Sequence, residues 1–401
     1  MINKIHVARR SLILAALILV MSQLTACSLI DRAEVAGIEA LAGTVQAGTW
    51  DELLTNFTAN TFCGAPGAVL VVDSPRGRFL QATGLSSLED QTPMQVTDAF
   101  EIGSNTKSFT VALALQLQEE GIWSLDDPLA KWLPDVAAQI PNGDQVTLRQ
   151  LAGNRSGIWD YANPLMSASV GDESLRQQGY TPEELIAYTV ENGEPGFKPG
   201  EGWAYSSTNF VLLGMAIEAV TGQPMAELYQ TRIFAPLGMT NTFLLEGVPQ
   251  PGQIVSGYYT DEGDGSQEPE LVNVTDWNAS QGWTAGAIVS NAEDMAAYTA
   301  GLASGALFSD ADSLVQMTTY TKVNPAQSGL LSAYGLGVGL LPLKAAQAWG
   351  HHGQTLGYTT LFMTIPDKET NIVYLTNSSD CSVALIASAI KEPLLDGGPG
   401  Q

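Results

Sequence analysis

The chain is short of cysteine, of histidine and of positive charge. Its 401 residues include 3 cysteines and 3 histidines. That is too few cysteines for a disulfide-dense scaffold. One histidine, His6, lies near the N-terminus and the other two, His351 and His352, are adjacent. With no third histidine nearby and no cysteine pair, a zinc site has no ligand set. Lys and Arg number 17 against 42 Asp and Glu, a formal charge of −25. Such a balance argues against nucleic acid or an anionic bilayer surface as a partner, because both repel it, and it reads as a solvated acidic shell. Repeats and low-complexity tracts are missing as well. What remains is 45% hydrophobic, enough for a large core in one big or two interlocked domains.

Residues 1–26 have the anatomy of an export leader: Lys4, Arg9 and Arg10 precede the apolar stretch Leu12–Met21, and no acid appears before Cys27. The apolar stretch is short for a membrane span, which needs about 20 residues. Leu24-Thr25-Ala26-Cys27 resembles the bacterial lipoprotein processing box, with Cys27 as the lipidated residue. An uncleaved anchor and an ordinary secretory peptide are the alternatives. The expectation is an exported lipoprotein, on the outer side of the cytoplasmic membrane or in the periplasm or outer membrane, touching the bilayer only through its lipid. Cys63 and Cys381 flank strand-like runs near the two ends of the chain. They form a disulfide if the first and last strands are neighbours, and stay free buried thiols otherwise.

The stretch Gly103-Ser104-Asn105-Thr106-Lys107-Ser108-Phe109 puts a hydroxyl and an amine three residues apart at a helix start. Side chains at i and i+3 share a helical face. Serine alone attacks poorly, and a lysine whose pKa falls through desolvation can take its proton. The helix continues through Val111, Leu113, Leu115 and Leu117, with Gly121 as its stop.

Along the chain, Asp31 to Phe62 reads as helical. Ala68–Val72 and Phe79–Thr83 read as a hairpin about Ser74-Pro75-Arg76-Gly77. Thr147/Gln150, Thr181/Glu184 and Ser290/Glu293 have capping-box spacing, and Thr208–Val220 reads as a buried helix. Gly247–Gln281 reads as a long polar connection, with a solvated loop at Asp261–Gly265. Tyr334–Leu341, Gln347–His351, Tyr358–Ile365 and Asn371–Thr376 read as strands, and Cys381–Leu395 as a closing helix. The fold class is therefore α/β (α+β): an antiparallel sheet flanked by helices, built from both ends of the chain, with a mostly helical insert at about 126–275. The divisions are a leader (1–26), a tether and helix (27–61), a catalytic domain (62–395) and a tail (396–401).

Two further stretches complement the serine. Pro199–Phe210 places Tyr205 in a turn before a helix, where nearby cations lower a phenol's pKa. Trp349-Gly350-His351-His352-Gly353-Gln354 ends a strand, with Gly353 permitting close approach of a ligand. Ser-x-x-Lys, a later tyrosine and a late His-x-Gly resemble the serine β-lactamase-like superfamily, nearest to class C β-lactamases, related esterases and soluble D-alanyl-D-alanine carboxypeptidases. Asn154–Ile158, Arg232–Met239 and Ala285–Ser290 support it, and the similarity runs from about Pro66 to Cys381. The resemblance implies a monomeric acyl-serine hydrolase without metal or organic cofactor, acting on a small molecule or a peptidoglycan peptide. In it Ser104 is acylated, and Lys107 and Tyr205 share the proton. His351 lines the strand side of the cleft, while Ser207, His352, Gly353 and Gln354 contact substrate. The amides of Ser104 and Gln354 hold the oxyanion. Two departures stand out. Ser207 replaces the family's asparagine, and no arginine lies between Tyr334-Gly335-Leu336-Gly337 and His351 to hold a substrate carboxylate, for which Lys344 is the substitute at hand. The expected activity is that of a D-alanyl-D-alanine carboxypeptidase-like, penicillin-recognising enzyme, with an esterase or a non-catalytic β-lactam- or peptidoglycan-binding module as alternatives.

Overall fold

The computed structural model describes residues 49–58, 64–261, 270–324, 331–343, 346–390 and 395. The leader, Cys27, the start of the first helix, Cys63, most of the 261–265 loop, Lys344 and the 396–401 tail lie outside the described residues.

The first described helix, α1 (Trp50–Thr58), starts at Thr49, whose hydroxyl accepts from the Glu52 amide while Glu52 Oε2 accepts from the Thr49 amide. Reciprocal caps of this kind satisfy amides that a helix start leaves bare. Trp50, Leu53 and Leu54 bury their side chains against the sheet, so this helix packs with the catalytic body across the expected division at residue 62. Next come β1 (Gly67–Ser74) and β2 (Gly77–Ser87), joined by the two-residue turn Pro75-Arg76 as the sequence predicts. The short β3 (Thr92–Pro93) and β4 (Ala99–Glu101) precede helix α2 (Thr106–Glu119).

The middle of the chain is mostly helical; α3 (Ala162–Val170) lines the cleft with its first turns, and α4 (Thr208–Thr221) begins just after the cleft residue Ser207. It also holds strands that its sequence hides. These are β5 (Phe243–Leu244), the hairpin β6 (Tyr258–Asp261) and β7 (Glu270–Asn273), and β8 (Ile288–Asn291). The polar connection expected at 247–281 is thus partly a hairpin. Helix α5 (Ala292–Ala303) is capped by Asn291, whose side chain accepts from the Asp294 amide, one residue later than the Ser290/Glu293 spacing suggests. Ser290 belongs to β8, where its hydroxyl bonds Thr242. The Thr147 and Thr181 boxes form as expected.

The remaining strands are β9 (Thr321–Lys322), β10 (Ala333–Tyr334), β11 (Gly339–Pro342), β12 (Gln347–Gln354), β13 (Thr359–Ile365) and β14 (Thr370–Thr376). The expected single strand at 334–341 is two, because Gly335 to Gly337 turn the chain and Gly337 takes a φ of 68°. Helix α6 (Val383–Ala389) is shorter than the sequence pattern suggests.

Among the described residues the main sheet has nine strands, ordered β3-β2-β1-β14-β13-β12-β11-β10-β9, with antiparallel pairing throughout. Both chain ends therefore build it, as expected, and Cys381, just past β14, is disulfide-bonded. Alternation along its strands feeds two cores. Val69, Val71, Phe362, Val373 and Leu375 face the large helical layer, while Leu70, Val72, Leu361, Met363, Ile372 and Tyr374 face α1 and α6. Side chains alternate across a strand, and burial on both faces explains why these strands read as unbroken apolar runs. A small sheet, β4-β8-β5, lies beside the main one and leads directly into the Ser104 turn.

Candidate active site

Ser104 occupies a 3-10 turn, Gly103–Asn105, between β4 and α2. Gly103 adopts a φ of 52°, and a Cβ on it would lie 2.7 Å from the Gln354 amide nitrogen. A Cβ on Gly353 would run into the Ile102 carbonyl and come within 2.7 Å of Thr360 Oγ1. The two glycines thus let the end of β12 pack directly on the serine turn. Gly353 serves that backbone contact rather than a ligand's approach, which corrects the sequence reading. Gly353→Ala is expected to cost about 1–3 kcal/mol of stability through overpacking, a drop that denaturant unfolding measures.

Lys107 is buried and donates from Nζ to Ser104 Oγ and to the Ala285 carbonyl, both at 2.8 Å. Burial lowers its pKa to about 7, and Asp160 opposes part of that shift. A neutral amine, able to take a proton, is therefore populated near neutral pH. Tyr205 hydrogen-bonds the Ser104 side chain, and its ring lies 4.9 Å from Lys107 Nζ. Two segments distant in sequence thus converge on the Ser104 oxygen. Burial pushes the Tyr205 phenol up from its ordinary value, with the bond to Ser104 pulling the other way. The lowering anticipated from nearby cations is overridden by desolvation, so this phenol is a proton donor, not a phenolate.

A loop after Asn154 fixes the tyrosine. The Asn154 carbonyl accepts from the Ala204 amide, and its Oδ1 accepts from the Ser206 amide and Asn209 Nδ2. The Trp159 carbonyl takes the Ser206 and Thr208 hydroxyls, and Asp160 Oδ1 accepts the Ser207 amide at 2.7 Å. These bonds lock Tyr205 at the start of α4.

His351 is fully buried. Its Nδ1 bonds the His352 carbonyl, an acceptor only, so Nδ1 carries the proton and Nε2 accepts from the Tyr334 hydroxyl at 3.2 Å. Its ring lies 6.1 Å from that of Tyr205. His351 therefore braces the tyrosine from behind, and the imidazole that lines the cleft is His352. The two rings stack 5.6 Å apart. Burial lowers the pKa of both, His352 to about 4, so both are neutral at pH 7.

The cleft encloses about 260 Å³. Ser104, Lys107, Tyr205, Ser207, His352 and Gln354 all line it. The Gln354 side chain is turned away, donating to the Ser379 carbonyl. Residues to which the sequence reading gave no role are Asp160 and Thr355 on the wall, and Asn154 and Tyr334 behind it. Asp160 sits two residues past the motif Asn154–Ile158, and no spacing rule marks it. Lys107 and Asp160 are the cation and the anion of the lining. Among the described residues no cluster of three metal-ligating side chains occurs.

Comparison with known proteins agrees with this architecture. The beta-lactamase family model matches residues 51–389. Penicillin-binding protein 4* of Bacillus subtilis (strain 168) is 27% identical over 327 residues, covering 78% of this chain and 68% of that protein. A D-aminopeptidase of Cereibacter sphaeroides (strain ATCC 17029 / ATH 2.4.9) is 27% identical over 337 residues, 84% of this chain, which spans only 61% of that relative's length. The crystal structure of a D-stereospecific amidohydrolase from Streptomyces sp. superposes with a TM-score of 0.71 at 32% identity, covering 82% of this chain and 94% of that one. With a nucleophile turn, a buried lysine and a phenol converging as described, the chain belongs to the beta-lactamase family and is a serine hydrolase of the β-lactamase/penicillin-binding fold.

Proposed function

We propose that the protein hydrolyses amides of D-configured amino-acid derivatives bearing a free α-ammonium group, through an acyl-enzyme on Ser104. The observation that carries this reading is Asp160, a carboxylate lining the same cleft as Ser104 and held there by the Ser207 and Ala162 amides. A carboxylate so placed attracts a substrate ammonium and repels a substrate carboxylate. This favours an aminopeptidase- or amidase-like substrate over the free C-terminus of a D-alanyl-D-alanine peptide. The D configuration comes from the relatives named above.

In the reaction, Ser104 Oγ bonds to the substrate carbonyl carbon and its proton passes to neutral Lys107. The amides of Ser104 and Gln354 stabilise the oxyanion. As the C–N bond breaks, Tyr205 gives its proton to the departing nitrogen and regains one from Lys107. Water then attacks the ester, loses a proton to the same pair, and releases the acid with Ser104 restored.

The test compares a D-amino-acid p-nitroanilide with its N-acetylated form. Acetylation is expected to lower kcat/KM by about 30-fold, the worth of one charge-assisted hydrogen bond, and Asp160→Asn to produce a similar loss on the free amine only. Equal rates on both substrates, or faster release of the last residue from an acetylated peptide ending in D-alanyl-D-alanine, reject the ammonium reading in favour of an esterase or carboxypeptidase. A protein that takes neither fluorescent penicillin nor a fluorophosphonate on Ser104 is a binding module.

A further inference from the structure

Thr360 is a buried hydroxyl that the acyl-transfer steps above do not use. It sits on β13, between β12 and β14 in the main sheet, and is fully buried. Its cross-strand partner on β12 is Gly353. The hydroxyl donates to the Ile102 carbonyl at 2.9 Å and accepts from Asn105 Nδ2 at 3.0 Å. Ile102 precedes the turn that carries Ser104, and Asn105 ends it. The Gly353 carbonyl, 3.4 Å away, is the alternative acceptor for the hydroxyl's single proton. One side chain of a third segment therefore touches both the serine turn and the residue before Gln354.

We propose that Thr360 is a positioning residue for acyl transfer, its hydroxyl holding the Ser104 turn and the Gly353–Gln354 end of β12 in one register so that the two oxyanion amides face a common point. The inference rests on Ser104 being the nucleophile and on the amides of Ser104 and Gln354 holding the oxyanion. Among the described residues, no backbone hydrogen bond joins residues 102–105 to residues 352–355. The glycines at 103 and 353 let the two segments approach, but close contact alone sets no direction, whereas a hydrogen bond does. Asn105 depends on the same hydroxyl. It is fully buried, and its Oδ1 has no partner among the described residues, so the bond from Nδ2 to Thr360 is what orients its carboxamide. Removing the hydroxyl would leave that amide unpaired in the core and free the turn to shift.

Such a shift acts on one stage of the reaction. Oxyanion donors gain their strength as the substrate carbonyl oxygen takes on negative charge, so a misaligned pair weakens binding of the transition state more than binding of the substrate. The loss belongs in the rate of acylation and in the affinity for a tetrahedral anionic adduct.

The test follows acylation of Ser104 by a nitrophenyl ester, read as a maximal rate and a half-saturating concentration, together with inhibition by phenylboronic acid, whose boron takes the serine oxygen to give a tetrahedral anion. Thr360→Val keeps the branching and removes the hydroxyl. It is expected to lower the maximal rate by about 10- to 100-fold, short of the full loss of an oxyanion donor, and to weaken the boronic acid to a similar extent. The half-saturating concentration should stay within about threefold of wild type. Thr360→Ser, which keeps the hydroxyl, is expected to return the rate to within about fivefold of wild type. Asn105→Ala removes one of the two bonds and serves where the valine variant does not fold; its rate and boronic acid affinity should both fall by about 3- to 10-fold. A wild-type rate in the valine or alanine variant, a loss confined to the half-saturating concentration, or a serine variant as impaired as the valine variant overturns the proposal, and fluorophosphonate labelling of Ser104 in the same samples leaves the nucleophile assignment standing. Absence of that labelling in wild type overturns the nucleophile assignment and the proposal with it.

Discussion

Replacing Lys107 with alanine is expected to slow acylation of Ser104 by about 10³- to 10⁴-fold, the loss that accompanies removal of a positioned general base. The lysine is the basic group bonded to the Ser104 hydroxyl, and its burial makes it a base of about pKa 7. The sign of the pH dependence follows. Below about pH 7 the amine is protonated and cannot accept, so wild-type acylation falls tenfold per unit toward acid. The alanine variant should lack that limb. Stopped-flow measurement of acylation by a chromogenic ester reads both effects. A variant that keeps the acid limb near pH 7 would assign it to some other group.

Tyr205→Phe is expected to lower the rate by about 10²- to 10³-fold, with the larger loss on amides and the smaller on activated esters. The reason is the leaving group. An amide nitrogen must be protonated as its bond breaks, whereas an activated phenolate departs without help. The Tyr205 phenol, buried and raised above its ordinary pKa, suits that donor role at every accessible pH. Parallel kcat/KM measurements on an amide and a nitrophenyl ester of one acyl group distinguish donation from simple packing, since a packing defect lowers both equally. Because the phenylalanine ring can still fill the space beside His351 and Tyr334, folding should be little affected.

The legible part of the site was its local geometry. Ser104 and Lys107 share a helical face by spacing alone, and the structure puts Nζ 2.8 Å from Oγ. The hairpin, the buried helix at Thr208 and the Thr147 and Thr181 caps were equally legible, because each depends on a few neighbouring residues. Gly353 and Asp160 were misread or illegible for the opposite reason. The Gly353 hydrogen faces Ile102, and Asp160 gains its place from the Ser207 amide. Each of those partners is remote in sequence. His351 as the imidazole lining the cleft and a lowered Tyr205 pKa were misread for the same reason, since burial and remote neighbours decide both.

The order of apolar and polar residues thus determined the class of fold and the pairing of a hydroxyl with an amine, since both obey the short periods of helix and strand. Tertiary structure alone decided the charge, the protonation states and the wall residues of the cleft. Those depend on how far each group is removed from water and on what the opposite strand or loop brings within bonding distance, and such contacts join segments that share no local pattern.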